Sequence, residues 1–436
     1  MTPTPARPRT AALAVVIFTL LIPTSAVAQS GLDIGDINQF RSVGDVQFSP
    51  DGTRVAYSVA RRDRPGRPYS ETWILTLATG ESMKLEGSGA RWSPDGNKIA
   101  YSGSDGENSG LMVARGDGSS PVFLAVTQGT NHPLPSRGES LSWSPDSGRV
   151  AFLSASPGPE GDSSSADPVV ITRYLYKPPS STNGFNDNLR MHIYTVDVET
   201  KQVDQLTDGT YYEHPIDWSP AGDEILFVSN REPDPDRFFN YDIFAANVND
   251  RSVRQLTRTE SNEYRPRWSP DGSTVAYQGT RRGLTSSETT MEDTHIWLMG
   301  ADGSDRRELG SAIDNRQGAP GWSRDGSAVY FTVREGGLSR LYRAPVSGAR
   351  PGVVLGGDAS VGAWAPGARQ RHCIQLQHPV RSGATASQPC GRRHRTHRLQ
   401  RPNFVWKERC QGRAHSFPEL RRQRSGSISD TPHRPG

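Results

Sequence analysis

The groups able to do chemistry are few, and their spacing limits what that chemistry is. Arg231, Glu232, Asp234 and Asp236 form a compact charged run after a short apolar stretch, and they are the candidate substrate-binding residues: charged groups at such a connection can meet the terminus of a peptide. The competing reading is a rigid, solvated loop. Pro233 and Pro235 interrupt the acidic run, so a calcium loop of the EF-hand type is not expected. For acyl transfer the sequence offers one near miss, Gly337-Leu338-Ser339-Arg340-Leu341, which lacks the closing glycine of a nucleophile elbow. His132, His192, His214 and His295 read as structural or solvated histidines of loops and strand edges rather than as bases beside a serine. Cys373, Cys390 and Cys410 lie 17 and 20 residues apart beside His372, His394 and His397, without the close ligand pairs of a structural zinc site. No catalytic residue, metal or cofactor is therefore assigned.

The elements that position these groups are written in a repeat. An aromatic residue followed by Ser-Pro-Asp-Gly or a variant, then a β-run, begins at Phe48, Trp92, Trp143, Trp218, Trp268, Trp322 and Trp364, with anchors 44, 51, 75, 50, 54 and 42 residues apart. In the best copy Trp268 closes a strand. Ser269-Pro270-Asp271-Gly272 then turns the chain, Pro presetting φ, Asp bonding the backbone ahead and Gly tolerating φ > 0. Val275 and Tyr277 resume a strand on one face. A second hairpin follows in most copies, for example Ile193–Val198 with Val203–Leu206. Four strands per repeat predict an all-β fold, a β-propeller of seven blades with the tryptophans packed between neighbouring blades. The insert Ser154–Asn188, rich in Gly, Pro, Ser and Asp, accounts for the 75-residue gap.

The two ends differ from this body. Met1–Ala28 carries Arg7 and Arg9, an apolar stretch Ala11–Ile22 and a small-residue site Ala26-Val27-Ala28, the pattern of a secretory signal peptide cleaved after Ala28. A secreted or periplasmic bacterial protein with no later membrane span is expected. Residues 29–368 contain no cysteine, so blade packing rather than disulfides must hold them. From Arg369 to Gly436 there are fourteen Arg and one Lys against three acids, a net of +12; the whole chain is +3, which leaves −9 for residues 1–368. A mildly acidic body argues against nucleic acid as a partner.

The composition changes where the seventh copy breaks off. After Trp364-Ala365-Pro366-Gly367 a Val/Ile-Ala-Phe/Tyr strand is due, and Arg369-Gln370-Arg371-His372-Cys373-Ile374-Gln375 stands in its place. Codons for that stretch, read one base later, can spell Asp-Ser-Val-Ile-Ala-Phe, the missing strand. Residues 369–436 thus read as a frameshifted, disordered Arg-rich tail, the last blade as incomplete, and its exposed edge as a route to self-association.

Several stretches are more specific than the repeat. Leu32–Ile37, the run Arg41-Ser42-Val43-Gly44-Asp45-Val46-Gln47-Phe48 before Ser49-Pro50-Asp51-Gly52, Val170–Lys177 and Ser229–Asp236 resemble bacterial serine peptidases of the prolyl oligopeptidase family, in the acylaminoacyl-peptidase-like branch. The resemblance covers about residues 31–367. It implies a propeller that restricts access of short peptides to a carboxy-terminal α/β-hydrolase domain bearing a Ser-Asp-His triad, a domain not found in this chain, which is expected to be inactive. A propeller of the TolB type, binding protein partners without enzymatic activity, is the alternative.

Overall fold

The computed structural model describes residues 38, 41–132, 134, 138–159, 174–176, 185–283, 292–355 and 360–366 with their side chains, and the backbone of strands 372–377, 404–407 and 414–416. The signal-peptide segment and most of the basic tail lie outside the described residues. Among the described residues all regular structure is β, and no helix is long and apolar enough to cross a membrane.

Consecutive strands pair antiparallel, in sequence order, into four-stranded sheets. Six blades stand complete with described side chains, spanning residues 42–85, 87–126, 141–205, 217–255, 263–308 and 321–355. The first strands of successive blades touch one another, from Ser42–Phe48 to Gly87–Trp92 and onward, so they form the inner ring. A seventh inner strand, Ser360–Pro366, touches both the sixth blade and the first. The body is thus an all-β propeller in which every sheet is built from one continuous stretch of chain.

The turns form as their residues dictate. In the first, the Ser49 hydroxyl donates to Asp51 at 2.5 Å and accepts the Arg54 N–H at 2.9 Å, and Gly52 N–H closes on the Ser49 carbonyl at 2.8 Å. Ser93, Ser144, Ser269 and Ser323 repeat the hydroxyl–aspartate bond. The third copy has Ser147 where the other five complete blades have glycine, and it adopts the same left-handed conformation, φ 60°. Asp325, whose carboxylate accepts from Ser323 and Ser327, is drawn down to about 2.

The core lies between blades. Trp92 packs on Ile74 and Leu85 of the preceding blade, Trp143 on Leu111 and Leu124, Trp218 on Ile193 and Leu206, and Trp322 on Ile296 and Leu309. At the seam Val361 and Trp364 pack on Tyr330 and Leu341, while Ala363 packs into the first blade's cluster of Val43, Val46 and Val55. The aromatic anchors therefore do the inter-blade packing expected of them.

Two expectations are corrected. Six complete blades are described rather than seven. The reading that no strand follows Trp364 also fails for the backbone: His372–Gln377 pairs with Ser360–Pro366, placing Ile374 opposite Trp364, and Phe404–Lys407 and Ala414–Ser416 continue the sheet. The edge of the seventh inner strand is thereby paired by His372–Gln377, whose residue sequence His372-Cys373-Ile374-Gln375-Leu376 is compatible with an extended partner.

Candidate functional site

Because strands alternate in direction, the Ser-Pro-Asp-Gly turns all fall on one face of the ring, and the links between second and third strands fall on the other. That second face carries the connection 62–68 of the first blade, 230–241 of the fourth, and the described ends of the longer links of the third blade, 158–159 and 185–188, and of the fifth, 280–283 and 292–294.

The predicted charged run belongs to the fourth-blade connection, and the structure divides it. Arg231 turns inward, 3.5 Å from the buried Glu213 carboxylate and 4.5 Å above the Phe244 ring. Glu232 accepts from the Asn240 side-chain amide at 2.9 Å. Asp234 pairs with Arg237 at 3.4 Å on the surface. Asp236 is buried and accepts the Leu175 N–H at 3.1 Å, tying this connection to the third-blade insert. Tyr174, Tyr176, Phe185 and Phe238 are exposed around that junction. The four candidates do not converge on one point.

The histidines are structural. His192 Nδ1 meets Glu213 at 2.7 Å and His295 Nδ1 meets Glu308 at 2.7 Å, both rings being buried. His132 stacks on Tyr212 with ring centroids 3.7 Å apart. His214 is buried with no partner for Nε2, and burial, with repulsion from Arg265, pushes it down to about 3. Ser339 is the second residue of the third strand of the sixth blade, Leu338–Pro345, which follows a two-residue turn in which Gly336 and Gly337 have φ 57° and 77°, so it is a strand residue and not an elbow.

The inner ring holds a constellation that sequence reading missed. Arg91 bonds Asp45 at 2.8 Å and also bonds Glu139; Arg267 bonds Glu139 at 2.7 Å and Asp217 at 3.0 Å. One chain of ion pairs thus runs Asp45–Arg91–Glu139–Arg267–Asp217, from the first blade to the fifth. Asp217 also accepts the Trp268 N–H at 2.8 Å, and the Trp143 and Trp322 indoles donate to the Arg91 and Arg267 carbonyls at 2.9 and 3.1 Å. Glu139 is held down to about 2 despite burial because a guanidinium faces each of its oxygens. Burial raises Asp217 and Asp45 above the usual carboxylate range. The signal was present: the residue before the anchor reads Gln47, Arg91, Ser142, Asp217, Arg267, Gly321 and Ala363, placing charge where a packed strand would be apolar.

A second repeated device lies between blades. In Leu206-Thr207…Glu213 and Leu256-Thr257…Glu263, the threonine hydroxyl accepts the next-inward backbone N–H, of Ile193 at 3.0 Å and Ile243 at 2.8 Å; Thr207 donates to Glu213 at 3.2 Å, whereas Thr257 has Asp242 at 3.0 Å as its nearer acceptor and Glu263 at 3.4 Å. Gln317 does the same work in the next junction, accepting the Ile296 N–H at 2.8 Å. Among the described residues no group of three or more His, Cys, Asp or Glu side chains could hold a metal ion.

No family model matches the chain. It is 26% identical over 226 residues to the uncharacterized peptidase YuxL of Bacillus subtilis, a match covering 48% of this chain and 33% of the relative. Acylaminoacyl peptidase of Pyrococcus horikoshii superposes at a TM-score of 0.62 with 18% identity, over 88% of this chain and 53% of that one. The β-propeller domain of the Trilobed protease from Pyrococcus furiosus superposes at 0.57 with 15% identity, over 87% of this chain and 98% of that domain. The chain thus spans about a third of the curated relative and half of the acylaminoacyl peptidase, and it resembles the propeller portions of peptidases.

Proposed function

We propose that this propeller is the substrate-gating portion of a serine peptidase of the prolyl oligopeptidase family, acting on short peptides whose bond cleavage is carried out by an α/β-hydrolase domain. The similarity to a peptidase relative at 26% identity over 226 residues carries the reading. The ion-pair chain supports the reading physically: it joins the first five blades near their inner strands and so braces a charged ring, one that would admit an extended peptide and exclude a folded protein. The ring is proposed to count seven blades, with Ser360–Pro366 as the inner strand of the last. Export, with cleavage after Ala28, and a frameshift near the codons for residues 367–369 belong to the same proposal.

The gating reading predicts that the chain binds labelled peptides of a few residues but not a reduced, compactly folded protein of the same charge, measured by fluorescence anisotropy. Stable capture of a folded partner with no affinity for short peptides would instead support the TolB-like binding propeller. Sequencing the nucleotides beyond codon 360 tests the origin of the tail. A shifted frame continuing into a Gly-x-Ser-x-Gly motif agrees with the proposal, and stops in every frame overturn it. Amino-terminal sequencing of exported protein should begin at Gln29; retention of residues 1–28 refutes the signal peptide.

A further inference from the structure

Arg265 stands apart from the ion-pair chain beside it. It lies in the inner strand Glu263–Trp268 of the fifth blade, in a bulge where pairing with the second strand skips from Tyr264 to Arg267, and its φ is 49°. A left-handed backbone is unfavourable for a long side chain, and such outliers concentrate where a side chain must be aimed. Asp45 occupies the corresponding bulge of the first blade at φ 46°, and it is bound to Arg91. Arg265 has no such partner. Its Nε is buried without a hydrogen bond, and no carboxylate lies within ion-pairing distance among the described residues.

The neighbouring acids are already used. Glu139 gives one oxygen to Arg91 and the other to Arg267, and Asp217 gives one to Arg267 and the other to the Trp268 N–H. The Arg265 stem lies beside the segment leading into the third blade: a Cβ on Gly138 would clash with Pro215 and would sit in ordinary contact, 3.7 Å, with Arg265 Cγ, so it is Pro215 that requires glycine there. Beyond Pro215, His214 is neutral and offers no charge. Burial and the charge of Arg267 hold the Arg265 guanidinium below its ordinary range, so an added anion would relieve an existing cost.

We propose that Arg265 is a carboxylate-binding residue of the channel wall, taking the free carboxyl terminus of a short peptide that enters the ring. The proposal rests on the gating reading for its ligand. A planar guanidinium pairs with a carboxylate through two parallel hydrogen bonds. A single unpaired guanidinium matches the charge of one carboxylate.

The test uses the full chain and isothermal titration with N-acetyl-trialanine, its carboxyl-terminal amide, N-acetyl-Ala-Asp-Ala-amide and sodium succinate. The free acid should bind at least about tenfold more tightly than the amide or the Asp peptide. R265Q should bring acid and amide within about twofold, and R265K should restore part of the difference. Circular dichroism and melting temperature check that both variants fold. Equal binding of acid and amide by the unaltered protein overturns the role of Arg265 and leaves gating intact. A preference that survives in R265Q overturns it too. Equal binding of the Asp peptide overturns selection of the terminus. Succinate binding that depends on Arg265, without binding of any peptide, overturns the peptide terminus as the ligand and refutes gating. Failure of every carboxylate refutes the site.

Discussion

Glu139 in the inner ring and Glu263 between the fourth and fifth blades are both withdrawn from water, and burial pushes each toward its neutral form. One is nonetheless held down to about 2 and the other is pushed up to about 7. The difference lies in what faces them. Glu139 has a guanidinium on each oxygen. Glu263 accepts hydroxyls from Thr259 at 2.8 Å and Ser261 at 2.9 Å, has Arg306 no closer than 3.5 Å, and feels the Asp242 carboxylate nearby. Charge geometry, not depth, decides which carboxylate stays ionised. The ion-pair chain is built to carry charge, and the clasp between blades is built from hydrogen bonds.

The sharpest way to break this contrast is to remove the ring's shared acceptor. E139Q leaves Arg91 and Arg267 half buried with one carboxylate fewer between them. Deleting one member of such a buried set costs roughly 3–5 kcal/mol. Urea denaturation of the variant should show a loss of that size; a loss under about 1 kcal/mol would mean that the ion-pair chain is not coupled to folding.

The pH dependence separates the two glutamates by sign. The folded-state pKa of Glu139 is depressed, so its contribution is present above the ordinary 4.5 and is lost as pH falls toward about 2. A shift of that size is worth on the order of 3 kcal/mol. Glu263 runs the other way: its pKa is raised, so its contribution is complete below 4.5 and is lost as pH rises through about 7. E263Q should therefore flatten the stability profile between pH 4.5 and 7 and be neutral or stabilising by roughly 1–3 kcal/mol at pH 8. D242N should narrow the same window by removing the repelling carboxylate. If E263Q loses stability at pH 8, the clasp between blades depends on an ionised glutamate and the contrast fails.

How much of this was legible depends on sequence distance. The turns are local: Ser49, Asp51 and Gly52 specify one another within four residues, so their pattern announces them. The tryptophan anchors recur at the blade period, and their packing follows from it. The ring network joins residues far apart, with Arg267 and Glu139 separated by 128 positions, and no local pattern pairs them. Only the alternating charge before the anchors hinted at it. The Thr…Glu clasp is a repeated spacing from Thr207 to Glu213 and from Thr257 to Glu263, but it occurs in two copies against the seven of the aromatic–Ser-Pro-Asp-Gly pattern. The candidate run at 231–236 was correctly placed on a connection, yet proline-bounded spacing says nothing of direction, and Arg231 and Asp236 point into the protein while Asp234 points out.

That last division gives the smallest predicted effect and a clean internal control. Asp234 and Arg237 form an exposed pair three residues apart, of a kind worth about 0–1 kcal/mol, so D234N should leave stability within about 0.5 kcal/mol of the parent. Asp236 differs by two positions and by burial: its carboxylate accepts the Leu175 N–H, holding the described piece of the third-blade insert against the fourth-blade connection. Asparagine keeps the size and one acceptor but removes the charge, weakening a charge-assisted bond. Tyr174 and Tyr176 flank that bond and are exposed, so chymotrypsin reports on it directly. Cleavage at these tyrosines should accelerate several-fold in D236N and remain unchanged in D234N, while the melting temperatures of both stay near the parent's because the six blade cores are untouched. Equal cleavage rates in the two variants would show that the insert is held by other contacts, and that burial of Asp236 does not distinguish it from its exposed neighbour.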